Sequence, residues 1–332
     1  MPHIDAYNRP ISYLRISVTD RCNLRCVYCM PEEGVAWRPH QAILRYEEIE
    51  TIVRGAAELG ISKLRLTGGE PLVRLGIVDL VHILAAIPGI DDLAMTTNGI
   101  RLGDHAVDLA AAGLHRVNVS LDTLDRERFR LITRCDRLHD VLAGVQAARA
   151  AGLSPIKINS VVTRGLNDEE VVALAARTLD TGWWNIRFIE LMPVGDRHSP
   201  EESWETRSVP ASEIRQRIER ALGPLEPAGM TAGNGPARYY RLAGAKGTIG
   251  FITPISDHFC YKCNRLRLTA DGLLRPCLLS DQELDLRTPL RQGASVDDIK
   301  ALITRGISQK PMRHHIGERI RAMGRNMSEI GG

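Results

Sequence analysis

From Leu14 to Glu190, short stretches alternate residue by residue between apolar and polar side chains, and longer amphipathic stretches separate them. Leu14, Ile16 and Val18 alternate with Arg15, Ser17 and Thr19, and Leu64 and Leu66 with Lys63, Arg65 and Thr67. Further on, Val117, Val119 and Leu121 oppose Asn118, Ser120 and Asp122, and Ile156 and Ile158 oppose Lys157 and Asn159. A period of two marks a strand, and strands separated by helical stretches mark a parallel sheet. The pattern predicts strands at about 14–18, 63–67, 92–96, 116–121, 156–161 and 185–190. Helices are expected near 46–59, 74–87, 104–112, 138–151 and 168–180, the last capped by Asn167 or Asp168. Six such units predict an α/β fold, a partial, incomplete TIM-like barrel of about six β/α units.

The alternation also speaks about the barrel's inside. Strands buried on both faces read as nearly continuous apolar runs. Here one face of each strand is polar, and unpaired polar groups are costly to bury. If the apolar face packs under helices, the polar face must line a cavity that takes a polar ligand. The competing reading is a set of edge strands with a solvated face.

From about Pro193 to Pro236 proline, glycine and charged residues dominate, with one helix expected near 211–222. This shift divides the chain into a barrel over 1–192 and a C-terminal extension over 193–332. The extension holds a hairpin: Leu266 to Thr269, a tight type I′ turn at Asp271-Gly272, then Leu273 to Cys277. That pairing sets Cys277 opposite Leu266 and folds it back towards Cys260 and Cys263.

Composition narrows the class. The 332 residues are 44% hydrophobic and 25% charged, as in ordinary globular proteins, with a net charge of +3. Basic and aromatic residues do not interleave as on a nucleic-acid surface. Met1 to Pro10 lacks an apolar signal core, and no stretch is long enough to span a bilayer, so a cytoplasmic protein is expected. Seven cysteines in that compartment point to metal or redox use rather than disulfides.

Six of those cysteines form two triads, Cys22/Cys26/Cys29 and Cys260/Cys263/Cys277. Each is one thiolate short of a closed set of four, which leaves a metal position for substrate or cofactor. Spacing alone leaves zinc open, with His3 or His40 as a distant fourth ligand at the first triad and His258 at the second. Cys135 belongs to neither triad and reads as a spare thiol. The first triad follows the first strand, at the C-terminal mouth where such barrels carry their sites. The second strand runs into Gly68-Gly69-Glu70-Pro71, a backbone bare enough for close approach. Arg265 and Arg267 alternate with Leu266 and Leu268, so both guanidiniums share one strand face, and their planar forks suit phosphate. Arg15, Arg65 and Lys157 on the polar side of three strands extend a possible phosphate cradle.

These residues together resemble the radical S-adenosylmethionine family, in which three cysteines at the first spacing hold a [4Fe-4S] cluster. The second triad narrows the resemblance to the branch of that family acting on GTP in molybdenum cofactor biosynthesis. It does so with Asn264-Arg265-Leu266-Arg267-Leu268-Thr269, with Asp20-Arg21-Cys22-Asn23-Leu24-Arg25-Cys26, and with the terminal Gly331-Gly332. The resemblance implies two [4Fe-4S] clusters, on Cys22, Cys26 and Cys29 and on Cys260, Cys263 and Cys277, with S-adenosylmethionine as cofactor. It implies cofactor contacts from Tyr28, Gly69, Thr96, Ser120 and Met192, and substrate contacts from Arg15, Arg65, Lys157, Arg265, Leu266 and Arg267. Arg15, Arg65, Arg265, Arg267, Gly331 and Gly332 carry the catalytic expectation, the terminus reaching into the site. The reaction implied is hydrogen removal from ribose C3′ of GTP and attack of that carbon on guanine C8. An external electron donor, a downstream cyclic pyranopterin monophosphate synthase and a homodimer are expected partners. A radical enzyme acting on a peptide and a zinc-stabilised, non-catalytic binding module are the alternatives.

Overall fold

Strand assignment follows the alternation closely. The structure is a computed structural model and describes residues 2–194, 204–229, 235–314 and 325–331. A two-residue ribbon, β1 (His3–Ile4) with β2 (Pro10–Ile11), precedes the main sheet. Six parallel strands follow: β3 (Tyr13–Ser17), β4 (Lys63–Thr67), β5 (Asp92–Thr97), β6 (Arg116–Ser120), β7 (Lys157–Val162) and β8 (Asn185–Glu190). They pair in chain order, β3 through β8.

Helices α1 (Tyr46–Glu58), α2 (Ile77–Ala85), α3 (Leu102–Ala111), α4 (Arg126–Thr133), α5 (Leu138–Ala150) and α6 (Val171–Asp180) lie in the crossovers. In α1, Ile49, Ile52, Val53 and Ala56 are fully buried, an i, i+3, i+4, i+7 stripe facing the sheet. Helix α4 was not expected from the pattern. Only Phe129, Ile132 and Thr133 of its eight residues are buried, and its start is fixed by the Asp125 side chain accepting from the Arg128 N–H at 2.7 Å. Helix α6 begins later than expected, after Glu170. Asn167 is instead spent on tertiary structure: its amide donates to the carbonyls of Asp122 and Val161, and its Oδ1 accepts from the Thr163 N–H.

The C-terminal residues extend this sheet rather than standing beside it. After α7 (Trp204–Arg207) and α8 (Ala211–Leu222) come β9 (Leu225–Pro227), β10 (Arg238–Leu242), β11 (Thr248–Ile252), β12 (Arg265–Leu268), β13 (Leu273–Arg275) and β14 (Leu284–Asp285). Strand β11 pairs parallel to β8 and β12 parallel to β3, with β10-β9 and β13-β14 added antiparallel outside them. The result is an open, twelve-stranded sheet running from β14 to β9. Helices α9 (Arg287–Arg291), α10 (Val296–Ser308) and α11 (Met327–Ile330) complete the described elements.

The expected hairpin forms with its register moved by one residue. Arg267 faces Arg275 and Leu268 faces Leu274, which sets Cys277 against Arg265, not Leu266. A type I′ turn needs positive φ at both central residues, but here Gly272 alone is left-handed, at φ +84°. Thr269 N–H bonds the Leu273 carbonyl, so the loop is three residues, Ala270-Asp271-Gly272.

The polar strand face is enclosed. Arg65, Asn118, Lys157, Arg187 and Arg267 are all at most 7% exposed, which rules out solvated edges and agrees with a polar-lined interior.

Candidate functional site

The first cysteine loop is held by the backbone that follows β4. Gly69 N–H bonds the Thr19 carbonyl and Glu70 N–H the Arg21 carbonyl, both at 2.8 Å. Gly68 takes φ +142°, and a Cβ there would lie 2.4 Å from the Thr19 oxygen; one on Gly69 would lie 2.3 Å from the Arg21 oxygen. Only glycines let the two segments touch. Glu70 is buried and fully engaged: its carboxylate accepts from Leu72 N–H, Thr97 Oγ1 and Asn98 N–H at 2.6–3.0 Å. It therefore ties the β4 loop to the β5 loop. Burial raises its pKa to about 7 against those donors.

Cys22, Cys26 and Cys29 are half-buried, and none of the seven cysteines is in a disulfide. Burial first, and then Glu70, pushes the Cys22 thiol up to about 12, and burial with Cys29 holds Cys26 well above its ordinary value. Thiolates at these positions therefore call for a cationic centre, as cluster iron supplies. Three soft donors on one loop beside a side-chain-free cradle fit such a cluster. Tyr28, inside the loop, donates to Asp122 Oδ2 at 2.6 Å, and Asp122 Oδ1 accepts from Val161 N–H. Asn98 Nδ2 donates to Asn23 and lies 3.9 Å from the Cys22 sulfur.

The second triad lines a cavity of about 1110 Å³ including its open mouth. Arg15, Arg65, Thr96, Asn159, Arg187, Met192, Arg265, Arg267 and Lys310 line it with Cys260, Cys263 and Cys277. Strand register explains the crowd: Arg267, Arg15 and Arg65 are directly opposite one another on β12, β3 and β4. Like charges in register repel. The described lining residues hold five arginines and one lysine, with no carboxylate among them. Burial, then Arg267, holds Arg15 well below its ordinary pKa, and burial with Arg265 brings Arg267 to about 10. Tyr13, 5.7 Å beneath the Arg65 guanidinium, has a lowered pKa because Arg65, Arg15 and Arg265 outweigh its burial. This is a site built for a polyanion.

The same charges act on the second triad. Arg265 Nη2 lies 3.7 Å from the Cys263 sulfur, and Lys310 Nζ donates to the carbonyls of Arg265 and Pro276 at 2.8 and 2.7 Å. Burial would raise Cys263, but Arg265 and Lys310 outweigh it and bring it to about 6. A stabilised thiolate at Cys263 fits a metal cluster there as well.

The structure sorts the expected residues. Arg15, Arg65, Arg265 and Arg267 meet in the cavity with Thr96 and Met192. Lys157 is 2% exposed, lies 5.8 Å over the Tyr239 ring, and is not among the lining side chains. The Leu266 side chain is fully buried in the core, so only its peptide group can meet a ligand. Ser120 ends β6 in register with Asn159, a lining residue. Gly331 does enter the site: its carbonyl accepts from Arg267 Nη1, and a Cβ on it would lie 2.5 Å from Thr67. Gly332 lies outside the described residues. Arg187 was missed, although Asn185-Ile186-Arg187-Phe188 alternates like the other strands and gave the signal.

Residues 16–177 match the model of the radical SAM superfamily, and residues 184–316 match that of Molybdenum Cofactor Synthesis C. A GTP 3′,8-cyclase of Pelotomaculum thermopropionicum is 57% identical over 329 residues, 99% of both chains. One of Moorella thermoacetica is 53% identical over 328 residues, again 99% of both. Among solved structures, Streptococcus suis SuiB bound to S-adenosylmethionine aligns with a TM-score of 0.58 at 14% identity, over 87% of this chain and 68% of that one. Native anSMEcpe with bound AdoMet aligns at 0.55 and 16% identity, over 86% and 79%. These two share the fold. Matches at 53–57% identity over 99% of the chain, both domain models, the Cys22/Cys26/Cys29 loop and an arginine-lined cavity bearing the second cysteine triad converge: the chain belongs to the GTP 3′,8-cyclase family.

Proposed function

We propose that the arginine-lined cavity is where this chain binds GTP and directs its cyclisation, the first step of molybdenum cofactor biosynthesis. The carrying observation is the row Arg267, Arg15 and Arg65, joined by Arg187 and Arg265, with no carboxylate among the described lining residues. A triphosphate relieves that repulsion, and each charged hydrogen bond contributes about 1.5–3 kcal/mol.

Cys22, Cys26 and Cys29 would hold one [4Fe-4S] cluster with S-adenosylmethionine, and Cys260, Cys263 and Cys277 the other. When bound, the first cluster and S-adenosylmethionine supply one-electron cleavage of a carbon–sulfur bond, and so a carbon radical able to take hydrogen from ribose C3′. The protein's task is placement. Arginines anchor the phosphates, and the second triad on the same cavity wall marks the end that receives the base. Joining C3′ to C8 within one molecule demands that ribose and base be clamped together, an orientation effect worth up to about 7–11 kcal/mol for a well-aligned bound conformer. The Gly331 carbonyl on Arg267 places the chain terminus beside the phosphate-binding row. Tyr28, Gly69, Thr96, Ser120 and Met192 take the cofactor side.

The reading extends to an external electron donor, which supplies one electron for sulfonium cleavage and a second, taken up with a proton, for the base radical left once C3′ has joined C8. It also includes a downstream cyclic pyranopterin monophosphate synthase, a cytoplasmic homodimer, and a working division at 192/193 between the two cluster-bearing regions. No helix among the described residues is long and apolar enough to cross a membrane. Anaerobically reconstituted protein given GTP, S-adenosylmethionine and dithionite should form 5′-deoxyadenosine and 3′,8-cyclo-7,8-dihydro-GTP. Deoxyadenosine formation that does not require GTP would refute the assignment.

A further inference from the structure

The start of the segment that carries helix α11, from Arg325, and Glu329 within the helix are fixed by charges that the cavity chemistry does not use. Arg325 donates from Nη1 and Nη2 to both carboxylate oxygens of Asp271 at 3.0 Å, and from Nη2 to Glu283 at 3.0 Å. Its Nε lies 2.6 Å from Glu283 Oε1. Asp271 sits in the β12–β13 turn, and Glu283 lies on the chain that continues from Cys277 into β14. Arg38 adds a second arm: Nη1 is 3.2 Å from Asp271, Nη2 is 3.2 Å from Glu329 of α11, and its backbone N–H donates to Asp20 at 2.8 Å. Asp20 stands two residues before Cys22. These groups thus join the first cysteine loop, the second cysteine hairpin and the terminus.

At the far end of α11 the contacts change character. Ile330 is 1% exposed and packs with Val194 and Leu279 against Met192 and Cys277. Gly331 then meets Arg267. The chain from Arg325 to Gly331 is short, so fixing its start fixes where its last carbonyl can reach. The Arg325 and Asp271 side chains are 9% and 7% exposed, and a bidentate pair in that setting holds direction as well as distance. Asp271 also pairs with Arg38 and Glu283 with Arg275, so loss of Arg325 leaves the hairpin's carboxylates matched and falls on the placement of the tail.

We propose that Arg325, seconded by Arg38, is a latch that seats the chain terminus against Arg267, so that the terminus and the hairpin bearing Cys277 are placed as one unit. Arg325 is a positioning residue. It touches neither the lining of the cavity nor the reacting atoms, and acts through Gly331. The inference rests on the reading of the cavity as the GTP site.

The test is hydrogen exchange by mass spectrometry on the full, cluster-loaded chain, comparing wild type with Arg325→Gln and Arg325→Lys, alongside steady-state kinetics. In Arg325→Gln, amides of 326–331 should exchange at least tenfold faster while β3 to β8 keep their protection. kcat should fall at least tenfold with the GTP dissociation constant within threefold, and Arg325→Lys should recover part of both. Unchanged exchange in 326–331, or an equal rise across the whole chain, overturns the latch. Should Arg325→Gln fail to fold, Glu329→Gln serves: glutamine still completes the capping box with Asn326, and only the Arg38 arm is lost. A rise of about threefold in tail exchange is then expected, and none overturns the proposal. Exchange is read without turnover, so a chain with a protected tail and no cyclised product would refute the proposed activity while supporting the latch.

Discussion

Lys157 offers a quantitative check on the polyanion site. Burial first, reinforced by Arg187, Arg116 and Arg65, lowers its pKa from 10.5 to about 6. The ligand-free protein at pH 8 therefore carries it almost wholly neutral. Lys157 stands behind the lining side chains, next to Arg187 and Arg65, so it must turn past them to meet the ligand. A phosphate oxygen it then meets at salt-bridge range, about 4 Å, at an effective dielectric of about 20 contributes roughly 4 kcal/mol, or about three pKa units, enough to lift it to about 9. Binding at pH 8 should then draw in about 0.9 proton, from nearly none bound to about nine-tenths bound. Replacing Lys157 with methionine, which keeps length without charge, should weaken GTP binding by about 10-fold at pH 8, about 90-fold at pH 7 and about 500-fold at pH 6, as linkage requires for pKa values near 6 and 9. Calorimetry at pH 8 in buffers of different ionisation enthalpy measures the uptake directly. Protons exchanged by GTP itself cancel between wild type and variant. The same depression makes the ligand-free fold bind fewer protons than the unfolded chain between pH 6 and 10, so relative to the methionine variant its stability should rise with pH across that window. Equal proton uptake in the two proteins, or an affinity ratio that does not change with pH, would refute the reasoning.

Three further outcomes follow from the geometry. Arg187→Met should lower GTP affinity by roughly 10- to 150-fold, the loss of one charged hydrogen bond, while S-adenosylmethionine binding stays within about twofold; equilibrium binding of both ligands reads the difference. Gly68→Ala forces a Cβ to 2.4 Å from the Thr19 carbonyl at φ +142°, so denaturant unfolding should show a loss of more than about 1 kcal/mol, opposite in sign to the gain of about 0.5–1 kcal/mol that Gly→Ala brings in an ordinary helix or strand, and a wild-type midpoint would dismiss the close approach. Cys263→Ala should reduce iron from about eight to about four per reconstituted chain with the first cluster's electron paramagnetic resonance signal retained, and full iron content would place the second cluster elsewhere.

Local signals carried most of the barrel. Alternation along Lys63–Thr67 or Arg116–Ser120 placed strands within about a residue because one face of each must be apolar wherever helices cover it. Cysteine spacing is likewise a local property, so both triads and the Gly68-Gly69 cradle could be read before any fold was known. Helix α4 escaped because its apolar positions are few, and α6 started late because Asn167 found tertiary partners that outcompeted a cap.

What the chain order left open was settled by pairing between distant segments. Setting β12 beside β3 brings Arg267 into line with Arg15, 252 positions earlier, and no period in the sequence encodes that register. The one-residue change in the hairpin came from Gly272 alone adopting positive φ, which turned the guanidinium of Arg265 rather than a leucine towards the Cys277 strand position. Side-chain direction also decided Leu266, whose strand parity sends it into the core. The sequence by itself determined which elements form and which residues can ligate iron, because those depend on neighbours a few positions away. Only the tertiary structure decided that five arginines share one cavity and that Arg325 and Arg38 together join the terminus to both cysteine loops, because charge–charge proximity is a property of folded distance, not of spacing along the chain.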